Sequence, residues 1–205
     1  MPTTPAILPL ALLEAVQNID TPSDDGLGAL EHELAAKRLG LSPTVAAQAA
    51  RYRERAKDGG ELPEEEAMAV FRLVGRRPDA GLVFADAGRR AARYAARRAG
   101  WAARAAGALP GRLGARLALR SAGSLARRWL LVDLGGEAGV PRAECGDSLG
   151  LQAREDGMGC QFYSSALAEL LRLVAGYEGA MVHEACRSRG DRSCRWLAAK
   201  GEGYE

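Results

Sequence analysis

Residues 159–163, Gly-Cys-Gln-Phe-Tyr, and residues 182–196, Val-His-Glu-Ala-Cys-Arg-Ser-Arg-Gly-Asp-Arg-Ser-Cys-Arg-Trp, hold three of the four cysteines and one of the two histidines in the chain. Cys160, His183, Cys186 and Cys194 make a Cys3His set, the donor complement of a closed tetrahedral zinc site with no position left for water. A site of that kind is structural and argues against hydrolysis at the metal. Segments 180–185 and 192–198 read as the arms of a hairpin around Ser188-Arg189-Gly190-Asp191, which places Cys186 near Cys194 across the turn. Cys160 starts an amphipathic helix, 161–175, with Phe162, Leu167, Leu170, Leu171 and Val174 available for burial. A shared ion would staple that helix to the hairpin. His183 and Cys186 are three apart and would face opposite sides of a regular strand, so a bulge or a strand end is required between them. The competing reading is a Cys186–Cys194 disulfide with Cys160 and His183 unrelated to it. Cys145 has no partner at useful spacing and reads as a small buried residue in a loop.

Working back from this stretch, 148–154 reads as a strand, 135–147 as loop, and 129–134 as a short apolar run, hence a buried strand, ending at Gly135-Gly136. Earlier still, the pattern is helical. Segments 7–19, 27–39, 43–57 and 63–74 are separated by Gly and Pro, with Ser42 as an N-cap before Pro43 and acids at Glu64, Glu65 and Glu66 in a first turn. A long helix over 78–106 sets Ala87, Gly88, Ala91, Ala92, Ala95 and Ala99 on one side, interleaved with Arg89, Arg90, Arg93, Arg97 and Arg98. After a break at Leu109-Pro110, a second basic helix covers 111–128. Small residues at these spacings mean either close helix packing or a cleft, roofed by small side chains and rimmed by guanidinium groups, that admits a flat ligand. The expected fold is α+β: a helical N-terminal half packed on a small antiparallel sheet with a zinc-stapled C-terminal hairpin. Residues 1–75 and 76–200 are expected to form one compact unit.

The 205 residues are 47% apolar but only 5% aromatic, with 25 Gly, so contacts between helices should be made largely by small side chains. A net charge of +2 conceals a strong asymmetry: 76–128 carries thirteen Arg, no Lys and two Asp, which is +11, leaving −9 on the rest. Such a basic middle suits an anionic partner, although a solvated helix face explains it as well. The apolar stretch 6–16 lacks a basic leader, contains Pro9 and soon meets Glu14 and Asp20, so neither a signal peptide nor a membrane span is expected. The expected location is the reducing cytoplasm, where clustered cysteines bind metal more often than they pair. No glycine fingerprint or phosphate loop is present. Two histidines, one of them His32 between two Glu, leave no His-Glu-x-x-His motif and no Ser/His/Asp or Cys/His nucleophilic set. These residues give no basis for assigning an enzyme. Nucleic acid is a poor partner for an Arg run with few interleaved aromatics and no reading motif; an anionic membrane surface could meet the same face.

The 159–196 segment resembles the 4-vinyl reductase domain family, which is related in fold to subunits of vesicle-tethering complexes. The family includes the sensor domains of phenol-responsive bacterial activators, in which a Cys, an acid and two further Cys hold zinc. On that pattern Cys160, Cys186 and Cys194 match the cysteine ligands, and His183 stands where the family usually has Glu; imidazole is also a good zinc ligand. More weakly, Ala-Gly-Arg-Arg-Ala-Ala-Arg-Tyr at 87–94, Leu-Pro at 109–110 and the basic helix up to Trp129 look like a stand-alone family member of bacteriochlorophyll biosynthesis. The resemblance implies that 76–200 is a ligand-binding domain that binds or delivers a tetrapyrrole. The ring would lie against Phe84, Tyr94, Trp101 and Trp129, with Arg90, Arg97 and Arg98 on its carboxylates. It further implies pigment-pathway partners such as a chelatase, with homodimerisation open. Each of those aromatics reads equally well as ordinary core. The alternative function is a sensor or adapter for a small aromatic or apolar ligand, acting through a partner protein. A true reductase would need a hydride source that the residues do not display.

Overall fold

The computed structural model describes residues 2–21, 40, 42–100, 111–137, 140–154 and 156–199. The expected helix 27–39 with His32, the residues Trp101 and Leu109-Pro110, and the tail beyond 199 lie outside the described residues. The fold is α+β, as expected. Strand β1 (Thr3–Pro5) pairs antiparallel with β2 (Glu61–Pro63). Between them run α1 (Ile7–Asp20), whose leucines and alanines are buried on nearly every side, and α2 (Pro43–Lys57). The Ser42 hydroxyl accepts from the Val45 N–H at 3.2 Å, the N-cap expected there. Then follow α3 (Glu64–Gly75), α4 (Ala80–Arg97) and α5 (Gly111–Leu125), the last running into a wide π turn over Ala126–Leu130.

A second, four-stranded antiparallel sheet has the order β3-β4-β6-β5. Its strands are β3 (Asp133–Glu137), β4 (Val140–Cys145), β5 (Ala180–Ala185) and β6 (Cys194–Ala199). Two helices, α6 (Leu149–Ala153) and α7 (Gln161–Ala175), lie between β4 and β5 in the chain. Helix α7 is the hinge of the architecture, because it packs on α4 on one side and on β5 on the other. The N-terminal helices reach the sheet largely through it.

Close approach of α4 and α7 explains the small-residue face of α4. A Cβ added at Gly88 would sit 2.2 Å from the Phe162 carbonyl oxygen, and Ala87, Ala91, Ala92 and Ala95 are all buried along the same contact. An aromatic series crosses this interface: Phe84 stacks on Phe71 at 6.1 Å, Phe71 meets Phe162 at 5.4 Å, Phe162 meets Tyr163 at 5.2 Å, and Tyr163 meets Trp196 of β6 at 5.8 Å. Glu169 of α7, itself buried, takes Arg172 at 2.9 Å and Arg93 of α4 at 2.9 Å.

Three expectations are corrected. The apolar run 129–134 is not a strand throughout: Trp129 and Leu130 are buried in the π turn, which Leu131 ends in the left-handed region at φ 60°, and β3 begins only at Asp133. The loop expected over 135–147, with Cys145 in it, contains the rest of β3 and all of β4. Gly135 and Gly136 are tolerated because β3 is an edge strand, and Pro141 because it lies at the start of β4, before the pairing with β6 begins at Arg142. Segment 148–154 is helical, since Ser148 caps it, its hydroxyl accepting from the Leu151 N–H at 3.0 Å. No helix among the described residues is long and apolar enough to cross a membrane.

Gly88→Ala should therefore cost about 1–3 kcal/mol in urea unfolding through overpacking, despite the helix propensity of Ala. Gly81→Ala on the same helix, where the nearest atom is 3.8 Å away, should be neutral or stabilising by up to about 1 kcal/mol. The Glu169 carboxyl is held below its ordinary value by Arg172 and Arg93 against the opposing effect of burial. Its contribution is thus present above the unfolded value, about 4.3, and lost as pH falls through the lower folded one. Urea midpoints measured from about pH 5 down to about pH 3 should fall, and Glu169→Gln should flatten that slope.

Candidate metal centre

Cys160 ends a short 3-10 turn, Met158–Cys160, that leads directly into α7. Cys186 follows β5, and Cys194 begins β6. Their sulfurs form a nearly equilateral triangle: Cys160 to Cys186 is 4.0 Å, Cys160 to Cys194 is 3.8 Å, and Cys186 to Cys194 is 3.9 Å. A tetrahedron with sulfurs about 2.3 Å from its centre has an edge of roughly 3.8 Å, so the triangle is one face of such a centre. A disulfide would require about 2.05 Å, and all four cysteines are free thiols. The ligand atoms of Cys160, His183, Cys186 and Cys194 all lie within 4.8 Å of one another. Together these four residues could hold a metal ion.

The bulge required between His183 and Cys186 is present. His183 pairs with Trp196 and Ala185 with Arg195, so Glu184 is the extra residue and the face alternation flips there. His183, Cys186, Cys194 and Trp196 consequently share one side of the sheet. The His183 ring stacks on Trp196 at 4.9 Å and 15°, and Trp196 is anchored by its Nε1–H donating to the Ser164 hydroxyl at 2.9 Å. His183 bonds the Ala185 backbone, while its Nε2 is buried with no hydrogen-bond partner among the described residues. That leaves Nδ1 for the backbone and Nε2 for an ion, the usual division of labour in a metal-bound imidazole. Burial, and then Arg189, lower the histidine's basicity and favour the neutral ring a metal needs.

The turn is built around the sulfurs. The Cys186 N–H donates to Asp191 Oδ2 at 2.7 Å, the Cys186 carbonyl accepts from the Arg189 N–H at 2.9 Å, and Gly190 takes φ 92°. Burial disfavours the Cys186 thiolate, but the Ser188 hydroxyl at 2.9 Å and the Ser188 N–H outweigh it and bring this thiol below its ordinary value. Burial and the neighbouring sulfurs push Cys160 far up, and burial raises Cys194 against an N–H from Arg187. Three such thiols in contact resist ionising together until a cation offsets their mutual repulsion. Gly157, at φ 76°, admits the turn: a Cβ there would sit 2.8 Å from Ser188 Oγ and 3.1 Å from Cys186 Sγ. Cys145 pairs with Cys194 in the ladder, but its sulfur meets the carbonyls of Leu131 and Asp147, and burial pushes its thiol up to about 12.

The residues expected to line a ligand cleft lie elsewhere and are engaged internally. Phe84 is fully buried in the α3–α4–α7 core. Arg90 donates to Asp86 at 2.8 Å, and the Tyr94 hydroxyl donates to Glu14 at 2.9 Å. Arg97 lies over the Tyr94 ring at 5.8 Å, and Arg98 lies over Trp129 at 4.6 Å while bonding the Tyr94 and Ala56 carbonyls. An open cleft of about 1290 Å³ is found instead between α5 and the edge strand β3. Leu119, Gly123, Leu134, Gly135 and Gly136 line it, with Arg116, Arg120, Arg127 and Arg128 also contributing. Arg116 and Arg120 are exposed and make no ion pair among the described residues. No family model, characterised protein or solved structure is significantly similar to the chain.

Substituting Ser for Cys160, Cys186 or Cys194 should bring bound metal to near zero by elemental analysis and lower the melting temperature sharply. A structural ion of this kind carries on the order of 10 kcal/mol of apparent binding energy. Cys145→Ser should leave the metal content unchanged.

Proposed function

We propose that the chain is a zinc-stapled, non-enzymatic binding protein of the 4-vinyl reductase type, whose ligand is an anionic tetrapyrrole held in the cleft between α5 and β3. The observation that carries this reading is the cleft itself. Gly135, where nothing lies within 4 Å of an added Cβ, leaves the strand side of the cleft open, and Arg116 and Arg120 offer guanidinium groups that are not engaged in ion pairs within the described protein. The pairing chemistry is the one expected for Arg90, Arg97 and Arg98, transferred to a helix whose arginines are available. Zinc is the ion that best suits three thiolates and one imidazole in a tetrahedron. With all four positions filled by protein, the ion supplies rigidity to the sheet and leaves no site for a reacting group.

Purified protein should shift the absorption spectrum of protoporphyrin and magnesium protoporphyrin and co-elute with them. Arg116→Gln with Arg120→Gln should weaken that binding at least about tenfold. Gly135→Leu should block it without unfolding, since nothing lies within 4 Å of the added Cβ. Absence of any spectral shift or co-elution would sink the tetrapyrrole reading.

A further inference from the structure

The outward face of α5 carries two exposed leucines, Leu113 and Leu117, that the cleft does not account for. From Gly111 to Leu130 the chain contains no acidic residue. One face of the helix is buried through Ala118, Ala122 and Ala126. On the opposite face Leu113, Arg116, Leu117 and Arg120 follow one another at three- and four-residue spacing, so they share a stripe. Leu113 is 74% exposed and Leu117 37%, on successive turns. Arg127 and Arg128 extend the basic character into the π turn, although Arg127 pairs with Asp133 and Arg128 lies over Trp129.

Leucines left in water on a stripe of arginines make an interfacial pattern: the apolar side chains seek a phase without water, and the guanidiniums seek phosphate. We propose that α5 docks peripherally on an anionic phospholipid surface. Leu113 and Leu117 seat at the boundary of headgroups and acyl chains, and Arg116 and Arg120 rest on lipid phosphates. The 15-residue helix, about 22 Å long, lies in the plane of the surface. Charge complementarity identifies the partner as anionic, and the leucines identify it as lipid. A nucleic-acid backbone would match the arginines equally well but would leave Leu113 and Leu117 in water. Docking goes beyond the ligand-binding role and does not require the cleft to be filled.

The test is co-sedimentation of the full, metal-loaded chain with vesicles of phosphatidylcholine alone or doped with phosphatidylglycerol. Duplex DNA serves as a second polyanion. Binding is expected to the doped vesicles only, with release as salt is raised from about 0.1 M to about 1 M and the screening length falls from about 10 Å to about 3 Å. Arg116→Gln with Arg120→Gln should weaken it about 25-fold, at about fivefold per charge. Leu113→Ser with Leu117→Ser should weaken it at least about tenfold. These positions are exposed, and unchanged metal content and melting will show that the variants fold. Gly135→Leu, which blocks the cleft, should leave vesicle binding intact, so failure here and failure of the tetrapyrrole reading are separable. No binding to doped vesicles would overturn the proposal. So would vesicle binding that survives loss of both leucines, or that Gly135→Leu abolishes.

Discussion

Three sulfurs and an imidazole nitrogen within 4.8 Å of one another impose the constraint on which the C-terminal third depends. Thiols are weak hydrogen-bond partners, thiolates in contact repel, and the buried Nε2 of His183 has no hydrogen-bond partner among the described residues. A single divalent ion at the centre reverses each of these penalties at once. The surrounding backbone follows from the need to bring the four donors together. Gly157 lets the turn before α7 pass beneath Ser188, Glu184 bulges out of β5, and Asp191 closes the loop by accepting from the Cys186 N–H.

The same centre orders elements far from it. Cys160 sits at the start of α7, so fixing its sulfur fixes where α7 lies over the sheet. Helix α7 in turn meets α4 so closely that only Gly fits at position 88. The aromatic series from Phe84 through Tyr163 to Trp196 then links the helical core to the ring stacked on His183. With the small face of α4 consumed by this contact, its arginines turn to partners at the margin: Asp86, Glu169 and the rings of Tyr94 and Trp129. The α5 arginines have fewer such partners. Arg116 and Arg120 remain exposed beside a cleft, and that difference separates a structural basic helix from one able to meet a ligand or a surface.

Local signals were read correctly wherever one residue type leaves little choice. Ser42-Pro43 marked the start of α2, the 3.6-residue period marked 161–175 as a helix, and the spacing of His183 and Cys186 required the bulge that is present. They misled where two structures share one signal. The apolar run at 129–134 is buried partly by a π turn and only later by a strand, because burial and not strand geometry is what an unbroken apolar run records. Ser148 is a helix cap that the following Leu-Gly-Leu disguises. The pair Gly135-Gly136 reads as loop, yet it forms part of an edge strand, where Gly136 lets Leu119 of α5 pack close: a Cβ there would fall 2.6 Å from Leu119 Cδ2.

The sequence by itself determined the donor set of the candidate metal centre and most of the helices, since these follow from side-chain chemistry and short-range periodicity. Tertiary structure alone decided which small-residue face is packed and which arginines stay available. Small residues and arginines are interleaved along both α4 and α5, and local sequence does not say which small face meets another helix. Only the arrival of α7 against Gly88 buries the small face of α4 between the two helices.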